Sequence, residues 1–232
     1  MASEIIDIVL PVALQEVFED IAPIFTTKTG HRFNVALMLN PQVPDHVAGG
    51  AQWSIALSNP VYIQKIVNWG GCDAGGVAGL GHSPLCFAVR GASGVPLGQS
   101  PSEIAAFLCA ADSIAITETG TSGAQFGKLA ADLGVTDQMQ EKLRLLPGGG
   151  PMRALQSGDV EVAALPLTNV AAVQGVFAKC ICPPQMEVHI DLAFCISAQA
   201  NAAAHEFAQW ICHANQRGRL QALGLRDLGA VQ

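Results

Sequence analysis

The stretch ITETGTSGAQFGK, residues 116–128, combines residue types that suit the binding of an anion. An apolar run ends in hydroxyl residues and glycines just before an amphipathic segment with helical spacing. A helix that starts in this way presents main-chain N–H groups that have no partner inside the helix, and its dipole favours negative charge. The candidates for contacting an anionic ligand are Thr119, Thr121, Ser122 and Gly123.

Each of these residues also has a purely structural explanation. Serine at the start of a helix commonly caps it, and threonine commonly serves as a turn hydroxyl. Glu118 lies in the same loop and would repel an anion unless it were protonated or turned away. Arg153 follows the loop PGGGP, where a solvated arginine is ordinary, but the chain has only 12 basic residues to compete for a carboxylate.

The charge balance narrows the choice of partners. The formal net charge is −7, and no cluster of lysines and arginines occurs. Nucleic acid and anionic membrane surfaces are therefore poor partners. No apolar run reaches the roughly 18 residues of a membrane span, so we expect a soluble protein.

The N-terminal sequence MASEIIDIV has acidic residues where a secretory signal carries basic ones, which favours a cytoplasmic protein. A mature secreted chain with an added Met would begin in the same way. The seven cysteines are an odd number and mostly stand in apolar surroundings, which favours reduced thiols in the interior. Cys180 and Cys182 could be half of a metal site, but no second pair has zinc-finger spacing, so we expect neither a metal nor an organic cofactor.

The elements that would position these residues alternate between strands and helices. In the first third of the chain we predict strands at 5–9, 31–37 and 53–57 and helices at 14–29, 40–50 and 61–69. This order implies a parallel sheet with right-handed crossovers. The glycine-rich run GGCDAGGVAGLG lacks the Lys-Ser/Thr ending of a nucleotide-binding loop, and we interpret it as a connecting turn.

The rest of the chain predicts a second α/β segment and closing helices. The predicted strands are 85–89, 113–117, 160–165 and 188–197, and the predicted helices are 101–111, 122–133, 137–142, 152–156, 200–215 and 217–223. Two α/β lobes explain this organisation better than one sheet does.

Three stretches, in this order, resemble type 2 periplasmic binding proteins, and most of all their molybdate-binding branch. They are EVFEDIAPIFTTKTGHRFNVAL, SIAITETGTSGAQFGKLAADLGV and GGGPMRALQSGDVEVAALPLTNV. The resemblance extends over nearly the whole chain. It implies an α/β fold with two lobes, a mixed and mainly parallel sheet in each lobe, and a ligand cleft between them. Lobe 1 would comprise residues 1–85 and 187–232, and lobe 2 would comprise residues 86–186.

The resemblance also implies which residues bind the ligand. Asn40 falls at the position of a contacting serine, and Ser58 and Asn59 end a strand that would face the cleft. The helix start in lobe 2 falls at Thr121, Ser122 and Gly123, and a later main-chain donor falls at Gly150 to Met152, followed by Arg153. Two contacts are missing, because one serine of the family falls at Ala13 and its tyrosine falls near Thr168.

These departures, with apolar Ala13 and Pro166 beside two helix starts, suit a flat organic di- or tricarboxylate better than a tetrahedral oxyanion. Cytoplasmic relatives of this branch include aconitate isomerase and cis–trans isomerases. The resemblance therefore implies an isomerase of a small unsaturated polycarboxylate that works by proton transfer without a cofactor, with His82, Glu118 and Ser58 as catalytic candidates. The alternative is a solute-binding protein for an oxyanion or small carboxylate, acting as a transporter receptor or a sensor. The oligomeric state is not indicated.

Overall fold

The computed structural model describes residues 3–91 and 97–227. Contacts divide the chain into two units, Met1–His82 with Asp191–Gln232 (unit 1) and Ser83–Ile190 (unit 2). The chain passes between the units after His82 and after Ile190, a few residues from the boundaries that the sequence suggested. Among the described residues, no helix is both long and apolar enough to cross a membrane.

Unit 1 begins with three strand–helix pairs. The bounds are β1 Ile5–Pro11, α1 Gln15–Thr29, β2 Arg32–Met38, α2 Val43–Ala48, β3 Ile55–Ser58 and α3 Pro60–Asn68. The unit also contains the first part of β4 (Cys72–Arg90), most of β9 (His189–Ser197), α8 (Ala202–Cys212) and α9 (Arg217–Ala222). Helix α1 ends at Gly30, whose positive φ of 79° suits glycine.

The sheet of unit 1 runs β2-β1-β3-β9. Strands β1, β2 and β3 are parallel, whereas β9 is antiparallel to β3. Aromatic side chains of α1, β2 and α8 pack together beside the sheet, with ring centroids of Phe25 and Phe207 5.1 Å apart and those of Phe33 and Phe207 4.9 Å apart. Because β1, β2 and β3 are parallel, their last residues lie at the same edge of the sheet; these are Pro11, Met38 and Ser58.

Unit 2 has the same alternation in a shorter form. Its elements are the rest of β4, α4 Pro101–Ala110, β5 Ile114–Thr117, α5 Thr121–Asp132, α6 Thr136–Met139, β6 Leu143–Leu146, α7 Gly150–Ser157, β7 Val162–Pro166 and β8 Val176–Ile181. The sheet order is β4-β7-β5-β6, with β8 paired to β4. Strands β5, β6 and β7 are parallel, and β4 is antiparallel to both β7 and β8.

The prediction of a turn at residues 70–81 was wrong, because residues 72–81 form the first half of the 19-residue strand β4. A strand is held by main-chain hydrogen bonds, so glycines weaken it without excluding it. Two short strands, β6 and β8, were not predicted, and the helix expected at 137–142 is only Thr136–Met139. The sequence LRLL of β6 has no β-branched residue, which explains why its strand character was not apparent.

Candidate functional site

Two strands of unit 2 end level with each other, and each is followed by a helix. Thr117 of β5 and Leu146 of β6 are register partners in a parallel pair, and both are the last residues of their strands. Adjacent strands lie about 4.8 Å apart, so the two following loops start side by side. We call residues 118–123 and 147–153 the α5–α7 edge.

Helix α5 starts against the end of its own strand. Its N-cap is Gly120, which has no side chain to cap the first turn. An added Cβ at Gly123 would overlap the carbonyl oxygen of Thr117, so only glycine lets this turn approach β5 so closely. Ser122, 8% exposed, is held in the same turn. The first-turn N–H groups therefore depend on acceptors outside the helix.

Helix α7 also starts at a glycine. The N-cap Gly149 is in the left-handed conformation, with φ of 73°, which glycine adopts without steric cost. The N–H of Gly150 donates to the carbonyl of Pro147, at 2.8 Å, and Pro151 has no N–H. The remaining N–H of the first three helical residues belongs to Met152, a buried residue.

The charged side chains of this edge are exposed. Arg153 lies on the solvent side of α7, and its Nη2 donates to the carbonyl of Gly148 at 3.4 Å. Glu118 and Thr119 are exposed in the loop before α5, where the main-chain N–H of Glu118 donates to Leu146 O at 2.9 Å. Thr121 is half-buried. The positive potential at this edge therefore comes from helix ends supplemented by one arginine.

Thr168 follows β7, the strand on the other side of β5. It is 1% exposed, and both its main-chain N–H and its hydroxyl lie 3.1 Å from Ser83 Oγ. Ser83, which the sequence did not single out, is fully buried. This pair fixes the turn after β7, and Thr168 is not part of the α5–α7 edge.

In unit 1 two predicted residues meet where β2 and β3 end, and we call Asn40 and Ser58 the Asn40 cluster. Ser58 is completely buried, and its hydroxyl lies 3.0 Å from the carbonyl oxygen of Asn40 and 3.1 Å from Asn40 Oδ1. Asn40 is 5% exposed. The hydroxyl proton of Ser58 is thus shared between two oxygens of Asn40, which holds this residue against the end of β3.

Asn59 and His82 lie outside the Asn40 cluster, and both lie near Asp191. Asn59 donates from Nδ2 to the carbonyl of Asp191, at 2.5 Å. His82 lies in β4, exchanges main-chain hydrogen bonds with Arg226, and has its Nδ1 3.7 Å from the carboxylate of Asp227. Ala13 is buried in the turn that follows β1. His82 is thus placed by the C-terminal segment, whereas Asn40 and Ser58 are placed by the ends of β2 and β3.

All seven cysteines are free thiols. Burial raises the pKa of Cys180 to about 11 and that of Cys182 to about 12. Burial also raises the pKa of Cys195, which is fully buried in β9. These thiols stay protonated near neutral pH, so they are unsuited to nucleophilic chemistry.

The structure thus groups the predicted residues into two sets, one in each unit. Ser122, Gly123, Gly150 and Met152 share the α5–α7 edge with Thr119, Thr121 and Arg153, and Asn40 shares a hydrogen-bonded cluster with Ser58. Sequence reasoning missed the capping roles of Gly120 and Gly149. The glycines that precede each apolar helical pattern were the available signal.

The fold matches known binding proteins along almost its entire length. The periplasmic molybdate-binding protein of Azotobacter vinelandii superposes with a TM-score of 0.80 at 18% identity, covering 98% of this chain and 100% of that one. The sulfate-binding protein SubI of Mycobacterium tuberculosis H37Rv gives 0.73 at 16% identity, with 97% and 87% covered. PEB3, known from Campylobacter jejuni, gives 0.65 at 14% identity in its L-phospholactate-bound form, with 96% and 99% covered.

These likenesses establish a periplasmic-binding-protein-like α/β fold with a mixed, mainly parallel sheet, as the sequence predicted. No curated protein matches the sequence. The family model described as bacterial extracellular solute-binding protein matches residues 6–226, which is nearly the whole chain. The chain therefore belongs to the family of bacterial extracellular solute-binding proteins.

Proposed function

We propose that this chain binds a small anion with several oxygen atoms, and that main-chain N–H groups of the α5–α7 edge supply the principal contacts. The observation that carries this proposal is the level ending of β5 and β6 at Thr117 and Leu146, each followed by a helix with a glycine N-cap. Two helix starts side by side direct the positive ends of their dipoles to the same edge of the sheet.

The strength of such a site follows from ordinary magnitudes. One helix start stabilises a nearby anion by about 0.3–1 kcal/mol at the surface and up to about 2 kcal/mol in a partly buried geometry. Hydrogen bonds to a charged group add about 1.5–3 kcal/mol each. Because the whole chain carries a formal charge of −7, long-range attraction does not favour an anion, and recognition depends on these local donors.

The ligand class is a small oxyanion, either inorganic or organic. The relatives named above are described as binding molybdate, sulfate and L-phospholactate. Each of these ligands carries several anionic oxygens on a small body, which suits two neighbouring helix starts. Among organic anions, an unsaturated di- or tricarboxylate also carries several anionic oxygens on a small body.

A ligand screen with a matched variant tests the proposal. We expect one of molybdate, tungstate, sulfate, maleate and cis-aconitate to raise the melting temperature. At a hundredfold excess over Kd the stabilisation is about 2.7 kcal/mol, which corresponds to a rise of roughly 5–10 °C for a chain of this size. Replacing Gly123 with Ala, which moves the first-turn N–H groups of α5 away from the end of β5, should weaken binding of that ligand, measured by calorimetry, whereas replacing Lys128 with Gln, an exposed change farther along α5, should not. If no anion raises the melting temperature, or if Gly123→Ala binds like the wild type, the proposed site is refuted.

An isomerase is the second candidate. It is favoured by one observation, which is that the Glu118 carboxylate lies between the end of β5 and the start of α5, next to the proposed anion contacts. A carboxyl group there could move a proton beside a bound carboxylate. Incubation with cis-aconitate or maleate, followed by ultraviolet absorbance and NMR, would reveal conversion. Turnover that is lost in Glu118→Gln while binding persists would establish the enzyme, and binding without turnover would establish a receptor or sensor.

We also propose that the protein acts in the cytoplasm, because all seven cysteines are free and four of them are buried. Fractionation of cells that express the native gene, with thiol labelling of each fraction, would test this location. Recovery from the periplasm or medium would overturn it.

A further inference from the structure

Two histidines and a carboxylate lie together on the neighbouring strands β4 and β9. One ligand atom from each of His82, His189 and Asp191 lies within 4.8 Å of the other two. His82 belongs to β4, and His189 and Asp191 belong to β9, the next strand in the sheet. Side chains two residues apart in a strand point to the same face, so His189 and Asp191 approach His82 together. We call these three residues the His82 cluster.

Hydrogen bonds hold the main chain of the His82 cluster in place. His82 exchanges two of them with Arg226, at 3.0 Å and 2.8 Å. The carbonyl oxygen of Asp191 accepts another from Nδ2 of Asn59, at 2.5 Å. The side chain of His82 is 17% exposed, and Asp191 is exposed. The side chains of the cluster therefore extend from a fixed main chain and can be reached by an ion from solvent.

The charged groups around the cluster suit a cation. A carboxylate oxygen of Asp227 lies 3.7 Å from Nδ1 of His82, so a second carboxylate accompanies that of Asp191. Arg226 is a neighbouring cation, but its Nη1 donates to two main-chain carbonyls, each at 2.8 Å. Two carboxylates and two imidazoles therefore stand together, while the guanidinium group of Arg226 is held by its own segment.

Two imidazoles and one carboxylate form a ligand set that divalent first-row metals bind. Around tetrahedral zinc, with metal–ligand distances of about 2.0–2.2 Å, neighbouring ligand atoms are about 3.3 Å apart. The longest separation in the cluster must therefore shorten by roughly 1.5 Å, which rotation of the exposed Asp191 side chain can supply. Each of the three residues already has an interaction partner, so coordination exchanges existing contacts for bonds to the metal.

We propose that the His82 cluster binds one divalent transition-metal ion, of which zinc is the representative. The ligands are one imidazole nitrogen each of His82 and His189 and the carboxylate of Asp191. Asp227 supports His82, because a carboxylate beside a metal-binding histidine orients the ring and raises its basicity. Three protein ligands leave a coordination position open to water or a small anion. None of these residues belongs to the α5–α7 edge.

Titration of the untagged protein with Co²⁺ tests the proposal, because the spectrum of Co²⁺ distinguishes its ligands. Nitrogen and oxygen ligands give weak visible d–d bands, and thiolates add an intense charge-transfer band in the near ultraviolet. We expect one equivalent of Co²⁺ to bind with d–d bands alone and to be displaced by Zn²⁺. His82→Gln, His189→Gln and Asp191→Asn should each weaken binding at least tenfold. The matched controls His46→Gln and Asp45→Asn, in α2, should bind like the wild type.

A replacement that keeps a ligand at position 189 tests direct coordination. His189→Cys should still bind Co²⁺ and should add the charge-transfer band, because a thiolate is a metal ligand. A melting curve for each variant shows that it is folded before titration, and the exposed change Asp191→Asn decides the outcome if a histidine variant does not fold. A charge-transfer band in the wild type, equal binding by Asp191→Asn and the wild type, or a wild-type spectrum in His189→Cys would overturn the proposal.

Discussion

Two glycines of α5, four residues apart, should respond to the same substitution in opposite ways. At Gly127 an added Cβ meets nothing within 4 Å, so Gly127→Ala should act through helix propensity alone. Alanine is favoured over glycine in a helix interior by about 0.8–1 kcal/mol. The melting temperature of Gly127→Ala should therefore rise by roughly 2–4 °C.

At Gly123 the same methyl group would overlap the main-chain oxygen of Thr117, which cannot rotate away. Overpacking of this kind costs about 1–3 kcal/mol, with occasional larger values. After the gain in helix propensity, a net loss of up to about 2 kcal/mol remains, and the melting temperature should fall by up to roughly 8 °C. The start of α5 must also move away from the end of β5.

That displacement should reduce ligand affinity more than stability. Losing one main-chain hydrogen bond to a charged ligand costs about 1.5–3 kcal/mol, and 1.4 kcal/mol is a factor of ten in Kd, so we expect affinity to fall by roughly 10–100-fold. Urea denaturation would give the stabilities, and calorimetry with the anion that most raises the melting temperature would give the affinities. If Gly123→Ala and Gly127→Ala had equal stability and equal affinity, the close approach of α5 to β5 would not support binding as we argue.

Two further predictions concern buried polar groups. Ser58→Ala removes the hydroxyl that donates to Asn40, so the free energy of unfolding in urea should fall by about 1–3 kcal/mol; a loss no larger than that of the exposed Ser102→Ala would contradict this. Because burial raises the pKa of Cys180 to about 11 and that of Cys182 to about 12, from 9.0, the folded chain holds protons that the unfolded chain releases above about pH 9. The contribution of these two thiols to the free energy of unfolding should thus be complete below pH 9 and should be lost between about pH 9 and pH 12. The loss should be less steep in Cys182→Ala, and an equally steep loss in that variant would refute the assignment.

Much of the fold follows from local patterns in the chain. Apolar runs bounded by Pro, Gly and Asn marked β1, β3, β5 and β7, and helical spacing marked α1, α5 and α8. The first half of β4 was missed because its strand is built from main-chain hydrogen bonds between residues distant in sequence, and its glycines give no β signal. Strand β8 was missed for a related reason, since VFAKCI alternates only weakly between buried and exposed residues.

The candidate site was predictable to a similar degree. The TGTSG stretch indicated the start of α5 because glycine and hydroxyl residues there have a local conformational meaning. The role of Ser58 was not predictable, because the hydroxyl acts on Asn40, 18 residues away, through a contact that only the neighbouring ends of β2 and β3 create. The same holds for Ser83 and Thr168, which are 85 residues apart.

The glycine caps of α5 and α7 also bear on how the ligand specificity of such a protein can change in evolution. Every residue except proline has the same amide, so exchanging neighbouring side chains leaves these contacts in place. Substitutions of the surrounding side chains can then change which ligand is preferred, while the main-chain contacts to the ligand persist. Mutational tolerance should accordingly be high around this edge of the sheet, and intolerance should be confined to Gly123, Gly149 and Gly150, where an added Cβ would be crowded or the backbone is left-handed.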